Sequence, residues 1–440
     1  MKNYTAAAFC AIGAEKVVSN ELKKLASFGS GQAEKGTPEK QAAYTILESS
    51  LGRVRFKTDL AGLYRALMSL RTADRLLLEA GTFPAPNFDA LFEGAASIPW
   101  EDYIPRGMGL KVSKVRSSLS RLTAETSIQA VVHKAAAQRL CRRYGLNRLP
   151  GGTGGTKTNS GGGQFGIKQA ELRVFMEKDK AFLLLDLSGE PLFKRCYRPA
   201  GGIAPLREST AAAIVLFSGW KRKFPLYDPL CGSGTIIIEA ALYAWDQAPG
   251  LGRHFALSDL SFGNSRIEQT VRQELAEKID YSRPINIKGS DADEKAIALA
   301  KANLLRARCL PEKMPGILTQ KQHAGFGGKI PGVELRCLSM KDASLVKLPG
   351  PDSPKNGTAP ALPPGFIITN PPYGNRLGEI EEAEKRYADM VFLNKAFSGW
   401  KLALICDHAG FESHFGKKAD SCRKLKSGAA DAWLYQYEKI

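Results

Sequence analysis

The chain has 440 residues, of which 44% are hydrophobic, 24% charged and 9% aromatic; such a composition folds, in two or three domains, and excludes disorder throughout. No apolar run reaches the roughly 20 residues of a membrane span, Glu15 and Lys16 break the apolar start with no cleavage site after it, and the eight cysteines, scattered without a Cys-x-x-Cys pair, argue against a disulfide framework or zinc site and for a reducing cytoplasm. Lysine and arginine outnumber aspartate and glutamate 62 to 44, for a net charge of +18, with 30 against 18 in residues 1–200 and 10 against 3 in residues 101–150, so a polyanionic partner is expected.

In chain order, residues 5–12 predict a strand and 14–26 an amphipathic helix. Residues 43–49 and 52–58 alternate as a hairpin, 60–74 as a helix, and 76–83 and 109–117 as strands. Residues 127–143 predict a long helix with Ile128, Val131, Val132, Ala135 and Leu140 on its apolar face. Residues 171–188 predict a hairpin turning at 178–180. This first part reads as an α+β domain with antiparallel strands. A glycine-rich stretch, 149–163, and a proline-rich one, 348–364, lack the groups for regular elements.

After Pro199 the rhythm becomes strand, helix, strand, helix. Strands are expected at 224–230, 285–291, 333–339, 365–369 and 401–406, with helices at 234–247 and 294–309. That alternation predicts an α/β, doubly wound parallel sheet with ligands at the carboxyl ends of its strands.

Three motifs fall at those ends. Asp228-Pro-Leu-Cys231-Gly232-Ser233-Gly234-Thr235 joins a strand to a helix. Its glycines permit a tight turn and close backbone approach to a ligand, the helix start offers free N–H groups, and Asp228 can hold an ammonium group. Neither the phosphate-loop pattern nor the full dinucleotide fingerprint is present. Asp291, closing the next strand, suits the hydroxyls of a ribose, while Asp293 reads mainly as a helix cap. Asp342, after the following strand, can accept from an adenine amine. The third motif is Asn370-Pro371-Pro372-Tyr373. Its prolines fix an extended backbone without N–H donors. The Asn370 amide oxygen and a backbone carbonyl can then hold both hydrogens of an exocyclic amine, with Tyr373 stacked on the ring that bears it.

With these motifs the chain resembles the class I S-adenosylmethionine-dependent methyltransferases acting on base amines. It resembles in particular their THUMP-domain subgroup, the RlmL-type 23S rRNA guanine-N2 methyltransferases. Residues 98–105, 127–135, 186–195, 204–208 and 370–377 carry the resemblance. It implies a ferredoxin-like domain over 1–64, an RNA-binding THUMP domain over 65–198 and a Rossmann-like methyltransferase domain over 199–440. It places S-adenosylmethionine on Asp228, Gly232, Gly234, Asp291, Asp342 and the turn residues Cys231, Ser233 and Thr235, with Pro205, Leu206 and Glu208 over its methionine end. Phe193 and Cys196 depart from the family's His and Gly, Asn375 from its Glu, and the 150–163 and 350–364 inserts from its short connections.

Such a transfer needs no metal and no general base; His408 and His414 are expected in C-terminal loops. The substrate implied is structured RNA. The rivals are an adenine-N6 DNA methyltransferase, a tRNA guanine-N2 methyltransferase, a protein glutamine methyltransferase, and an RNA-binding assembly factor with a decayed catalytic domain.

Overall fold

Strand pairing in the first half draws together segments far apart in sequence. The computed structural model describes residues 2–27, 44–151, 167–198, 206–313, 330–340, 342, 364–372, 379–427 and 430–440. Among these, β1 (Tyr4–Cys10), β2 (Thr45–Ser50), β3 (Arg53–Thr58), β4 (Ala73–Pro84), β5 (Gly109–Ser118), β6 (Gln169–Glu177) and β7 (Lys180–Asp186) form one sheet in the order β2-β3-β1-β4-β7-β6-β5. The twelve-residue β4 pairs with β1 on one side and β7 on the other, so the sheet is continuous. All pairs are antiparallel except β5–β6, which corrects the all-antiparallel expectation. A parallel pair needs a crossover, and α4 (Glu125–Tyr144) supplies it.

Helices α1 (Glu15–Ser27), α2 (Leu60–Ser69), α3 (Phe88–Ser97) and α4 cover this sheet. Asp59 caps α2 by accepting from the Gly62 N–H at 2.7 Å. The helix expected to reach residue 74 stops at Ser69 because Glu21, on α1, accepts the Arg71 and Thr72 N–H groups at 2.9 and 3.2 Å. Segment 98–105 is tied to α4. Arg139 makes two 2.9 Å bonds to Glu101, and the Tyr144 hydroxyl donates to the Ile104 carbonyl at 2.6 Å.

The second sheet contains β8 (Leu226–Asp228), β9 (Ile287–Asp291), β10 (Val333–Cys337), β11 (Phe366–Thr369), β12 (Lys401–Cys406), β13 (Ser421–Ser427) and β14 (Ala430–Tyr437). Its order is β10-β9-β8-β11-β12-β14-β13. The five strands from β10 to β12 are parallel, and β14 and β13 add an antiparallel hairpin at one edge. The strand order reverses direction at β8, so β8 and β11 flank the switch point where α/β sheets bind ligands.

Helices α5 (Glu208–Phe217), α6 (Thr235–Ala244) and α8 (Glu294–Arg308) pack on one face of this sheet, and α9 (Glu379–Asp389), α10 (Leu393–Ala396) and α11 (Phe411–Phe415) on the other. The remaining helix, α7 (Ser265–Ala276), and its flanks leave this sheet altogether. Leu251, Phe255, Leu257, Val271 and Leu275 pack into the core of the first sheet instead, and Arg65 of α2 pairs with Glu274 at 2.7 Å.

At the junction, Arg195 and Glu239 are both buried and lie 3.5 Å apart, and the Tyr197 hydroxyl donates to Glu239 at 3.4 Å. Removing one partner of a buried pair strands the other charge. Glu239→Leu should therefore destabilise the protein by about 3–5 kcal/mol, read as a lower urea midpoint with an unchanged slope. A midpoint within error of wild type would refute the role assigned to this pair.

Candidate active site

β8 ends on Asp228, which is 1% exposed at the centre of the second sheet. Its Oδ1 accepts from the Thr369 hydroxyl of β11 at 2.7 Å and from the Leu230 N–H at 3.1 Å. Burial raises the Asp228 carboxyl to about 7; those two donors pull it down and the Asp291 charge adds to the rise. A buried carboxylate in this position favours the arrival of a cation.

The turn that follows is built around its two glycines. Gly232 has φ +49°, and among the described residues no atom beyond its chain neighbours lies within 4 Å of where its Cβ would stand. It leaves open space beside the helix start. Gly234, at φ +83°, does something different, because a Cβ there would meet the Ala300 Cβ of α8 at 3.0 Å. It lets α6 and α8 approach. Cys231 is buried, its N–H donates to the Ser290 carbonyl at 2.9 Å, and burial pushes its thiol well up. The Ser233 carbonyl accepts from Asn303 at 3.1 Å.

Asp291 reaches across from β9 to the same turn. One carboxylate oxygen accepts the Gly232 N–H at 2.9 Å and the other the Asp293 N–H at 3.0 Å. Each oxygen keeps a further lone pair, so the group can accept ligand hydroxyls while holding the turn. Asp293 caps α8 by accepting the Lys295 N–H at 2.8 Å, as the sequence suggests. Asp342 is exposed, and its carboxylate accepts from the Ser339 hydroxyl at 2.6 Å.

The 206–208 segment is brought to this turn by Arg198. Its guanidinium donates to the Leu206 carbonyl at 3.2 Å and to the Thr235 hydroxyl, and lies 3.7 Å from Glu208. Glu208 and Thr235 are buried, and burial raises the Glu208 carboxyl, with Arg198 opposing. Sequence reasoning missed Arg198 as a site residue. An arginine closing the 193–198 run just before residues 204–208 was the available signal. Pro205 lies outside the described residues.

The third motif meets the first two through strand register. Phe366 and Ile367 of β11 pair with Leu226 and Tyr227 of β8, which brings Thr369 to Asp228 and Asn370 one residue beyond. Adjacent strands are about 4.8 Å apart. The glycine turn and Asn370 thus stand at the carboxyl ends of neighbouring strands, at the switch point. Asn370 is half-buried, Pro371 buried and Pro372 exposed; Tyr373 lies outside the described residues. The Pro372 carbonyl accepts from the Tyr387 hydroxyl of α9 at 3.1 Å.

Behind α9, His408 and His414 both direct Nε2 at Glu384 Oε1, at 3.2 and 3.4 Å. The Gly410 N–H donates to His408 Nδ1 at 3.2 Å, so the neutral ring carries its proton on Nε2 and donates it to Glu384. His408 follows β12, and His414 sits in α11 rather than in a loop. No spacing in the chain signals that the two converge.

A doubly wound sheet with a glycine turn, an acid on each of the first two strand ends and Asn-Pro-Pro on the fourth defines a methyltransferase of the Rossmann-like class. The chain belongs to the RlmL-like methyltransferases. Residues 195–314 and 357–436 match the family described as "RMKL-like, methyltransferase domain", and residues 40–77 match the "RlmL ferredoxin-like domain". The chain is 31% identical over 437 residues to the Bacillus subtilis (strain 168) protein named "Putative RNA methyltransferase YpsC", covering 99% of this chain and 96% of that one. It is 29% identical to the ribosomal RNA large subunit methyltransferase K/L of Syntrophotalea carbinolica, over 97% of this chain but 52% of that protein, so it spans about half of that relative. The crystal structure described as "SMU.472, a putative methyltransferase complexed with SAH" superposes with a TM-score of 0.76 at 29% identity, covering 100% of this chain and 99% of that one.

Proposed function

We propose that the protein methylates the exocyclic N2 amine of guanine in RNA, with 23S rRNA as substrate and S-adenosylmethionine as methyl donor. The observation that carries this reading is the register placing Asn370 next to the Thr369–Asp228 contact, beside the glycine turn. When bound, S-adenosylmethionine supplies an electrophilic methyl group. Gly232 leaves room for it, Asp291 can take its ribose hydroxyls, and Asp228 can hold its ammonium group. Asn370 and the Pro371 carbonyl accept the amine hydrogens, drawing on them as the nitrogen lone pair leaves the ring and charge develops. RNA and SAH enter through the relatives: YpsC and the K/L enzyme are named for RNA, and SMU.472 holds SAH. The test is methyl transfer onto 23S rRNA, tRNA and plasmid DNA with mass spectrometry of the product nucleosides. N2-methylguanosine from 23S rRNA supports the reading; N6-methyladenosine in DNA would replace it.

In this reading residues 1–198, as ferredoxin-like (1–64) and THUMP (65–198) parts, capture the RNA. Exposed Lys111, Lys114 and Arg116 on β5 and Lys134, Arg142 and Arg143 on α4 provide phosphate contacts. With about five phosphates neutralised and a slope of −0.7 to −0.9 for each, affinity should fall by about a hundredfold or more between 50 and 200 mM salt. Filter binding of rRNA fragments across that range measures it; salt-independent affinity would count against a phosphate-based interface.

A further inference from the structure

We infer that Tyr387 is a positioning residue for methyl transfer, because its hydroxyl holds the Pro372 carbonyl and so fixes the ψ angle of Pro372, which no following proline restrains. The inference rests on the reading of Asn370-Pro371-Pro372-Tyr373 as the amine-binding segment.

The argument begins with the backbone. Each proline ring locks its own φ near −65°. A residue that precedes a proline is confined to extended ψ values. Asn370 precedes Pro371 and Pro371 precedes Pro372, so both of their ψ angles are restricted. Pro372 precedes Tyr373, and its ψ has no such restraint. Rotation about that bond swings the Pro372 carbonyl and the onward chain together. A donor on the carbonyl therefore fixes the direction in which the chain departs toward Tyr373, the residue assigned to stack on the base.

The donor is well anchored. Ala383, Tyr387 and Met390 are buried at one-turn spacings. The Tyr387 ring packs against His408 at 5.8 Å and Phe411 edge-on at 5.3 Å. One turn earlier, Glu384 accepts from His408 at 3.2 Å, and His414 Nε2 lies 3.4 Å from the same oxygen. Burial raises the Tyr387 hydroxyl above its usual range, so it keeps its proton and remains a donor. A lone buried tyrosine would be unremarkable packing. Here the hydroxyl of the ring meets the carbonyl whose ψ angle no following proline restrains.

The test uses the full-length protein and compares Tyr387→Phe, Phe411→Leu, Tyr373→Ala, Asn370→Ala and the double variant Tyr387→Phe/Tyr373→Ala. Tyr387→Phe keeps the ring and should melt close to wild type. It should bind S-adenosylmethionine normally and lose about fivefold in kcat/KM for RNA, the scale of one neutral hydrogen bond. In the Tyr373→Ala background the same change should cost less than twofold, since the residue it acts through is gone. Phe411→Leu, which loosens the packing around the ring but leaves the hydroxyl, should lower the melting temperature and cost less in kcat/KM for RNA than Tyr387→Phe. Wild-type kcat/KM in Tyr387→Phe, or an undiminished loss in the double variant, overturns the inference. If Asn370→Ala were fully active, the underlying reading would fail instead; an inactive Asn370→Ala beside a wild-type Tyr387→Phe refutes the positioning role alone.

Discussion

Asn370→Ala should lower methyl transfer by about a hundredfold or more while leaving S-adenosylmethionine affinity nearly unchanged, the scale expected when one transition-state acceptor is removed. An aromatic amine is a poor nucleophile because its lone pair is delocalised into the ring. The lone pair becomes available only as the nitrogen pyramidalises, which makes its hydrogens more acidic. In the proposed reading, an acceptor fixed at the end of β11 therefore binds the transition state better than the ground state. Burial of Pro371 and the prolines' locked φ angles supply the rigidity that such a difference requires. Single-turnover assays on rRNA, with calorimetry of cofactor binding in parallel, separate the two effects. Wild-type turnover in Asn370→Ala would remove the mechanism, and a parallel loss of cofactor binding would assign Asn370 to the cofactor instead.

Lowering the pH from 7 to 5 should weaken S-adenosylmethionine binding by roughly fiftyfold, and Asp228→Asn should abolish that dependence. Burial raises the Asp228 carboxyl to about 7 in the free protein. About half of the molecules then carry the carboxylate at pH 7 and about 1% at pH 5. If Asp228 holds the cofactor's ammonium group, only the ionised fraction binds well. The window ends near pH 7 because an α-amino group itself begins to deprotonate around 7.7–8.0. The stability of the free protein runs the other way. A carboxyl whose folded value lies above its unfolded value of about 3.9 favours folding below pH 4, and that contribution is lost as the pH rises through about 7. Isothermal titration at pH 5, 6 and 7 on wild type and Asp228→Asn measures the binding effect. Equal pH dependence in the two proteins would place the cofactor's ammonium group elsewhere.

Much of this molecule is legible in its sequence because local chemistry dictates it. The alternation of short apolar runs with helical segments named β8, β9, β10, β11 and β12 and put Asp228, Asp291 and Asn370 at strand ends, and the Asp293 cap followed from residue type and position alone. The family entered by resemblance, carried by Asp228-Pro-Leu-Cys-Gly-Ser-Gly and Asn-Pro-Pro-Tyr together with residues 98–105, 127–135, 186–195 and 204–208.

What the sequence left open depends on partners distant along the chain. The end of α2 was decided by Glu21, some fifty residues away, which takes two N–H groups that propensity alone would have left in the helix. Only folding revealed that β5 and β6 run parallel, that α7 and its flanks serve the core of the first sheet, and that Gly234 makes room for α8 rather than for open space. Arg198, Tyr387 and the Glu384–His408–His414 cluster entered the site's surroundings in the same way. Arg198 had only its place at the end of the 193–198 run to mark it, the others had no local pattern at all, and each acquires its role from a contact made when the chain closes. Local conformational limits therefore determined which backbone shapes and which chemistry this protein carries; tertiary packing determined which strand end stands beside which, and what holds them there, because those distances arise only from long-range burial and hydrogen bonding.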